Sequence, residues 1–317
     1  FLPSPPFVTH NHGMDQPVAP RPSYVTALHH GILQSRVNTA LKRLARCRLC
    51  PKHCEANRLA DEKGECHTGR LAMVSSTHLH FGEESPLVGT GGSGTIFFTH
   101  CNLSCVYCQN YDISHLGHGY AVTAPQLASL MLRLQHAGAH NINLVSPSHV
   151  VAQILEALLL AAQAGLRIPL VFNSGGYDAL PTLRLVEGIV DIYMPDAKYG
   201  DPEVGQRLSR VDDYPTVNRQ AILEMHRQVG PLTLDASGIA TRGLLVRHLV
   251  LPASLADSRT ILRFLAQHVS TTTYVHIMDE YRPCFLASDH EQLARPLRRS
   301  EYEFVMQVAR EEGLEPR

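Results

Sequence analysis

A chain of 317 residues that is 44% apolar is long enough for one large domain with appendages around a buried core. A formal net charge of −1 argues against nucleic acid or an anionic membrane as the main partner. Gln153, Glu156 and Gln163 interrupt the longest apolar stretch, 150–166, which therefore reads as an amphipathic helix and not as a membrane span.

In chain order, the first residues, Phe-Leu-Pro-Ser-Pro-Pro, lack a basic region followed by a sustained apolar core and do not read as a secretory signal. Residues 1–30 are expected to be a flexible Pro-rich arm in which His10 and His12 are solvent-facing bystanders. Helical spacing follows over 32–44, with Leu33, Val37, Leu41 and Leu44 on one side. That helix leads into Cys47, Cys50, Cys54 and Cys66, so 31–75 reads as a helix plus a four-thiolate metal module. Zinc would fold such a segment, whereas an auxiliary iron–sulfur cluster would carry electrons or hold substrate. Lys42, Arg43, Arg46, Arg48, Lys52, Arg58 and Lys63 crowd the same region as a solvated basic face or as compensation for thiolate charge. Cysteines clustered at ligand spacing suit a reducing cytoplasm.

Gly89, Gly91 and Gly94 match a dinucleotide fingerprint but precede a strand instead of opening a helix, so they read as a tight turn. The strand 95–99 runs into Cys101-Asn-Leu-Ser-Cys105-Val-Tyr-Cys108, which places three of eight cysteines within eight residues. Gaps of three and two let one loop wrap three corners of a compact cluster. Structural zinc and electron-transfer clusters usually take four protein ligands; three leave a position at which a small molecule can coordinate. A zinc loop borrowing His100 or Cys284 is the other reading.

Helix and strand then alternate: helix 124–137, strand 142–145, helix 149–164, strand 169–172, helix 180–186, strand 190–194, helix 216–229, strand 244–251, helix 255–268 and strand 273–278. Six strands joined by crossover helices predict an α/β fold, a partial (β/α)6 TIM-like barrel over 76–284, with a helical extension over 285–317. In such barrels chemistry gathers at the carboxyl ends of the strands. Cys101, Ser146, Ser148, Asn173, Ser174, Asp196, Lys198, Arg247 and His276 all fall at or near those ends.

The spacing C-x3-C-x2-C, with aromatic Tyr107 before the last cysteine, resembles the signature of the radical S-adenosylmethionine (radical SAM) superfamily. Cys47-Arg-Leu-Cys50-Pro51, His80-Phe-Gly-Glu-Glu84, Cys108-Gln-Asn-Tyr111, Asn173-Ser-Gly-Gly-Tyr177, Asp191-Ile-Tyr-Met-Pro-Asp-Ala-Lys198 and Met278-Asp-Glu-Tyr-Arg-Pro283 narrow the resemblance. They point to relatives of the pyruvate formate-lyase activating enzyme that carry an N-terminal four-cysteine module. The resemblance implies a [4Fe-4S] cluster on Cys101, Cys105 and Cys108, with SAM at the open iron. It further implies cleavage of SAM to a 5′-deoxyadenosyl radical, hydrogen abstraction, and an electron donor such as flavodoxin or ferredoxin. Lys198 matches the lysine that meets the SAM carboxylate, and Asp196 the acid near the ribose or a cation. Arg247 matches an arginine that helps hold SAM, and His276 a late histidine near the sugar. Ser146 and Ser148 stand where such enzymes carry a Gly-Gly-Glu. The implied substrate is a glycyl-radical protein, a small molecule or a peptide. A non-catalytic adaptor with zinc at both cysteine groups is the reading from a different class.

Overall fold

The computed structural model describes residues 21–317. His10 and His12 lie outside the described residues. The expected arm is corrected from residue 23 onward: α1 (Ser23–His29) is helical, and its Tyr24 is fully buried with its hydroxyl donating to the Ile168 carbonyl at 2.8 Å. One aromatic anchor outweighs the Pro-rich composition around it. α2 (Ile32–Lys42) buries Leu33, Val37 and Ala40, and a 3₁₀ turn leads into the four-cysteine segment.

The barrel portion contains β1 (Ala72–His80), α3 (Ser85–Val88), β2 (Ser93–Phe98), α4 (Tyr111–Ser114), β3 (Tyr120–Val122), α5 (Ala124–His136) and β4 (Ile142–Val145). It continues with α6 (Val151–Gln163), β5 (Leu170–Ser174), α7 (Leu180–Leu185), β6 (Ile192–Pro195), α8 (Pro202–Ser209) and α9 (Tyr214–Val229). The last elements are β7 (Thr233–Leu234), β8 (Ala240–Leu249), α10 (Ser258–Phe264), β9 (Tyr274–Met278) and α11 (Arg299–Glu311). β2, β4, β5, β6, β8 and β9 are neighbours in that order and all pair in parallel, which is the six-unit partial barrel. β1 and β3 extend it antiparallel beyond β2.

Local chemistry explains the helices. Thr123 and Gln126 close a capping box at the start of α5. α6 is apolar nearly all round because both α5 and α2 cover it. The expected helix over 255–268 changes character after Phe264 into a π-helical turn, Leu265–Val269.

The turn expected at Gly89–Gly94 joins α3 to β2, and a Cβ on Gly91 would sit 2.1 Å from the Gly138 carbonyl oxygen. The segment before it has a larger effect. Leu87 packs against Val171, Ile192, Met194 and Leu245 inside the barrel, and its carbonyl accepts from Asn141 Nδ2 at 2.9 Å. Glu84 reaches His276 on β9. The segment thus enters the barrel interior, with Glu84 beside β9 and Leu87 against β5, β6 and β8.

Candidate functional site

β2 delivers the chain to the loop of Cys101, Cys105 and Cys108, and two flanking segments hold that loop. Val106 N–H donates to the Leu208 carbonyl at 2.9 Å, Ser104 N–H to the Ser209 carbonyl at 3.3 Å, and Leu286 N–H to the Val106 carbonyl at 2.9 Å. Asn102 Nδ2 donates to the Tyr177 carbonyl at 2.6 Å. Cys105 is buried and its Sγ accepts from Ser209 Oγ at 2.9 Å; Cys108 Sγ lies 3.1 Å from Ser114 Oγ. Burial pushes the Cys101 thiol up to about 12, with Cys105 adding to the rise and Lys198 opposing it. Burial and then Cys105 also raise Cys108. Cys101 and Cys108 thus lie close enough to Cys105 to feel its charge, and partial burial favours their neutral thiols.

The opposite side of the mouth is an ion network. Asp196 Oδ2 accepts from Lys198 Nζ at 2.7 Å, and its Oδ1 lies 2.9 Å from Arg247 Nη2. Arg247 Nη2 also donates to Asn173 Oδ1 at 2.8 Å. Burial works against the charge on Asp196, but Arg247 and Lys198 outweigh it and hold the carboxyl below its usual range. Burial likewise opposes the charge on Lys198, yet Asp196 and then Cys105 raise its pKa. That coupling ties the network to the cysteine loop.

The sequence reading assigned no role to Glu83 and Glu84, which complete the network. Arg247 Nη1 lies 3.7 Å from Glu83 Oε2, and Glu84 Oε1 accepts from His276 Nδ1 at 3.0 Å. Burial pushes the Glu83 carboxyl up to about 7 against the pull of Arg247. Burial would raise Glu84 too, but His276 and Arg247 hold it below its usual value, and Glu84 in return raises His276. The signal available in the sequence was the pair of adjacent carboxylates between a strand and Pro86.

Other expected residues have different surroundings. Ser148 and Ser174 hydroxyls each donate to buried Asp178, both at 2.6 Å, so their protons are committed behind the mouth. Ser146 is half-buried with a left-handed backbone, its N–H on the Asn173 carbonyl at 2.9 Å. Gly176, at φ 71°, lets this loop pass the Asp196 carbonyl oxygen, 2.0 Å from where a Cβ would sit. Tyr107 is buried with its hydroxyl 2.6 Å from that of Tyr199.

Cys47, Cys50 and Cys66 are buried and Cys54 is half-buried. Burial raises the Cys50 thiol, and Cys66, Cys47 and Cys54 each raise it further, so the four sulfurs share one locality. Arg58, from the expected basic face, is turned fully inward: Nη1 donates to the His149 carbonyl at 2.6 Å and lies 3.7 Å from Cys47 Sγ, and Nε donates to the Gly69 carbonyl at 3.0 Å. Arg46 and Arg48 stay outside on Glu55. The module abuts the cysteine loop, with the His67 and His100 rings 5.6 Å apart.

Among the described residues, no three His, Cys, Asp or Glu side chains converge on a point that would hold a single metal ion as they stand. The donor sets are nonetheless those of soft-metal and iron–sulfur chemistry: three thiols beside Lys198 in one place, four thiols beside Arg58 in the other.

No family model matches the chain. The uncharacterized protein MJ0674 of Methanocaldococcus jannaschii is 30% identical over 295 residues, covering 90% of this chain and 80% of that one. The chain belongs to the same family as that archaeal protein. Among solved structures, a radical SAM methyltransferase from Sphaerobacter thermophilus aligns at 14% identity and a TM-score of 0.47, over 71% of this chain and 65% of that one. Streptococcus suis SuiB bound to its precursor peptide SuiA aligns at 12% and 0.47, over 69% and 46%. Methylornithine synthase aligns at 16% and 0.46, over 68% and 61%. The chain spans less than two thirds of each of these three solved chains.

Proposed function

We propose that the chain is a radical SAM enzyme in which Cys101, Cys105 and Cys108 hold three irons of a [4Fe-4S] cluster and leave the fourth for S-adenosylmethionine. The observation that carries this reading is that the cysteine loop and the Asp196–Lys198–Arg247 network meet at the strand ends: a Cβ on Gly175 would touch both Leu103 of the loop, at 2.8 Å, and Lys198, at 3.6 Å. When bound, the cluster supplies the electron that cleaves SAM reductively to a 5′-deoxyadenosyl radical, which takes hydrogen from the substrate.

Lys198, held by Asp196, would offer its ammonium to the SAM carboxylate, and Arg247, held by Asp196 and Asn173, would help bind the nucleoside. His276, held by Glu84, would serve the sugar. Ser146 is the candidate where a Gly-Gly-Glu would stand, because the Ser148 hydroxyl, like that of Ser174, serves Asp178. Buried Tyr107 and Leu208 cover the Cys105 side of the loop. Reduction calls for a donor such as flavodoxin or ferredoxin. The four upstream cysteines hold zinc or a second cluster.

A small molecule or short peptide is the favoured substrate over a folded glycyl-radical protein. Glu83, Glu84 and Leu87 take up part of the barrel interior, the two carboxylate side chains only 8% and 4% exposed, which leaves less room there for a protein loop than for a small group. The test is anaerobic purification followed by iron and sulfide analysis and a SAM cleavage assay under reduction. Iron with sulfide and formation of 5′-deoxyadenosine, lost in Cys105→Ala, are expected. Zinc alone at both cysteine groups would instead make the protein a non-catalytic adaptor.

A further inference from the structure

A line of buried hydroxyls ends on Cys105. Tyr107 Oη lies 2.6 Å from Tyr199 Oη, Tyr199 Oη lies 2.6 Å from Ser209 Oγ, and Ser209 Oγ lies 2.9 Å from Cys105 Sγ. Tyr107 is 5%, Tyr199 1% and Ser209 0% exposed, so water does not compete along the line. The fold holds each member independently of the others. Ser209 ends α8, whose last turn also receives the Ser104 and Val106 N–H groups. Tyr199 follows Lys198 and packs edge-on to Tyr214 at 5.2 Å. Tyr107 belongs to the cysteine loop and meets Tyr281 at 6.1 Å.

We propose that Tyr107, Tyr199 and Ser209 form a one-way hydrogen-bond chain that sets the reduction potential of a cluster ligated by Cys105. The proposal rests on the radical SAM reading above. A metal-bound cysteine is a thiolate and can only accept, so Ser209 must donate to it. Ser209 Oγ then accepts from Tyr199, and Tyr199 accepts from Tyr107. All three O–H dipoles point at the sulfur and polarise one another.

Reduction adds one electron and no proton to the cluster, and the added negative charge is spread partly onto its thiolates. Donors aimed at a thiolate favour the reduced form and raise the potential. Cys108 faces the Ser114 hydroxyl at 3.1 Å and the Asn110 N–H, and Cys101 has the Leu103 N–H at 3.4 Å. Cys105 is the thiol at which a buried chain of three donors arrives. These hydroxyls are positioning groups; none is assigned contact with substrate.

The experiment is a spectroelectrochemical titration of the reconstituted full chain, monitored by the electron paramagnetic resonance signal of the reduced cluster. Ser209→Ala is expected to cut the reduced-to-oxidised ratio at a fixed potential about tenfold, equivalent to a shift of about 59 mV to more negative values for a one-electron couple. Tyr199→Phe, which keeps the ring and removes one link, should give a smaller shift of the same sign, Tyr107→Phe a smaller one still, and Ser209→Thr should restore the wild-type value. Should Ser209→Ala fail to assemble a cluster, the two Phe variants carry the test. Unchanged potentials in both Phe variants, or equal shifts in Ser209→Ala and Ser209→Thr, would overturn the chain's role. A wild-type protein that assembles no iron–sulfur cluster would instead overturn the functional reading beneath it.

Discussion

In the four-cysteine module Cys47 lies 3.7 Å from a cation of the same module, Arg58, which is buried and clamped by two carbonyls. Cys101, Cys105 and Cys108 draw on Lys198, which comes from the end of another barrel strand and is shared with Asp196. The first group comes from one stretch of sequence and is fastened to the barrel through Arg58 and the His149 carbonyl. The second is assembled from β2, β6 and α8 and faces the barrel mouth. A closed set of four thiols stabilises a fold, and an open set of three invites a ligand.

The largest effects should separate the groups outright. Cys108→Ala is expected to abolish 5′-deoxyadenosine formation while leaving the unfolding midpoint near that of wild type, whereas Cys66→Ala should lower the midpoint, as the loss of one ligand from the metal proposed for the module would. A Cys66→Ala protein as stable as wild type would break the contrast. Next, Lys198→Ala removes a charge-assisted contact worth about 1.5–3 kcal/mol, so SAM affinity should fall roughly 10- to 100-fold in equilibrium dialysis. Arg58→Met should cost about 3 kcal/mol in denaturant unfolding, because it leaves carbonyls and thiolates without their buried partner.

A smaller effect concerns pH. Burial raises Glu83 from 4.5 to about 7 in the folded chain. Between those values the folded state binds the extra proton, so this group's contribution is complete below about pH 4.5 and is lost as pH rises through about 7. Glu83→Gln should flatten that slope, stabilising the protein relative to wild type at pH 8 and changing little at pH 4.5. Equal slopes in the two proteins would mean that Glu83 is not buried as a carboxylic acid. Smallest of all, Cys284→Ala at a half-buried position should change stability by no more than about 0.5 kcal/mol and leave cluster content intact.

The six parallel strands were legible because each buried strand is a short apolar run ending in polar residues, and α6 because its apolar run is long. β3 is three residues long and β1 carries a bulge between Val74 and Ser76, so neither shows a clean alternation. Asp196, Lys198, Arg247 and His276 were readable as strand-end residues. Glu83 and Glu84 were not, since nothing local tells that a loop turns back into the barrel. Arg58 read as solvated because its partners, His149 and Gly69, are carbonyls that carry no side-chain signature. The hydroxyl chain joins α8, the β6 end and the cysteine loop, and only folding brings those together.

The most direct single measurement is the electron paramagnetic resonance spectrum of the anaerobically reduced protein, recorded with and without S-adenosylmethionine. A reduced four-iron signal that changes on adding SAM, and that disappears in Cys105→Ala while the upstream cysteines are intact, is the expected outcome. A signal indifferent to SAM would mean that a protein side chain caps the fourth iron, and the mouth would then not be a radical SAM site.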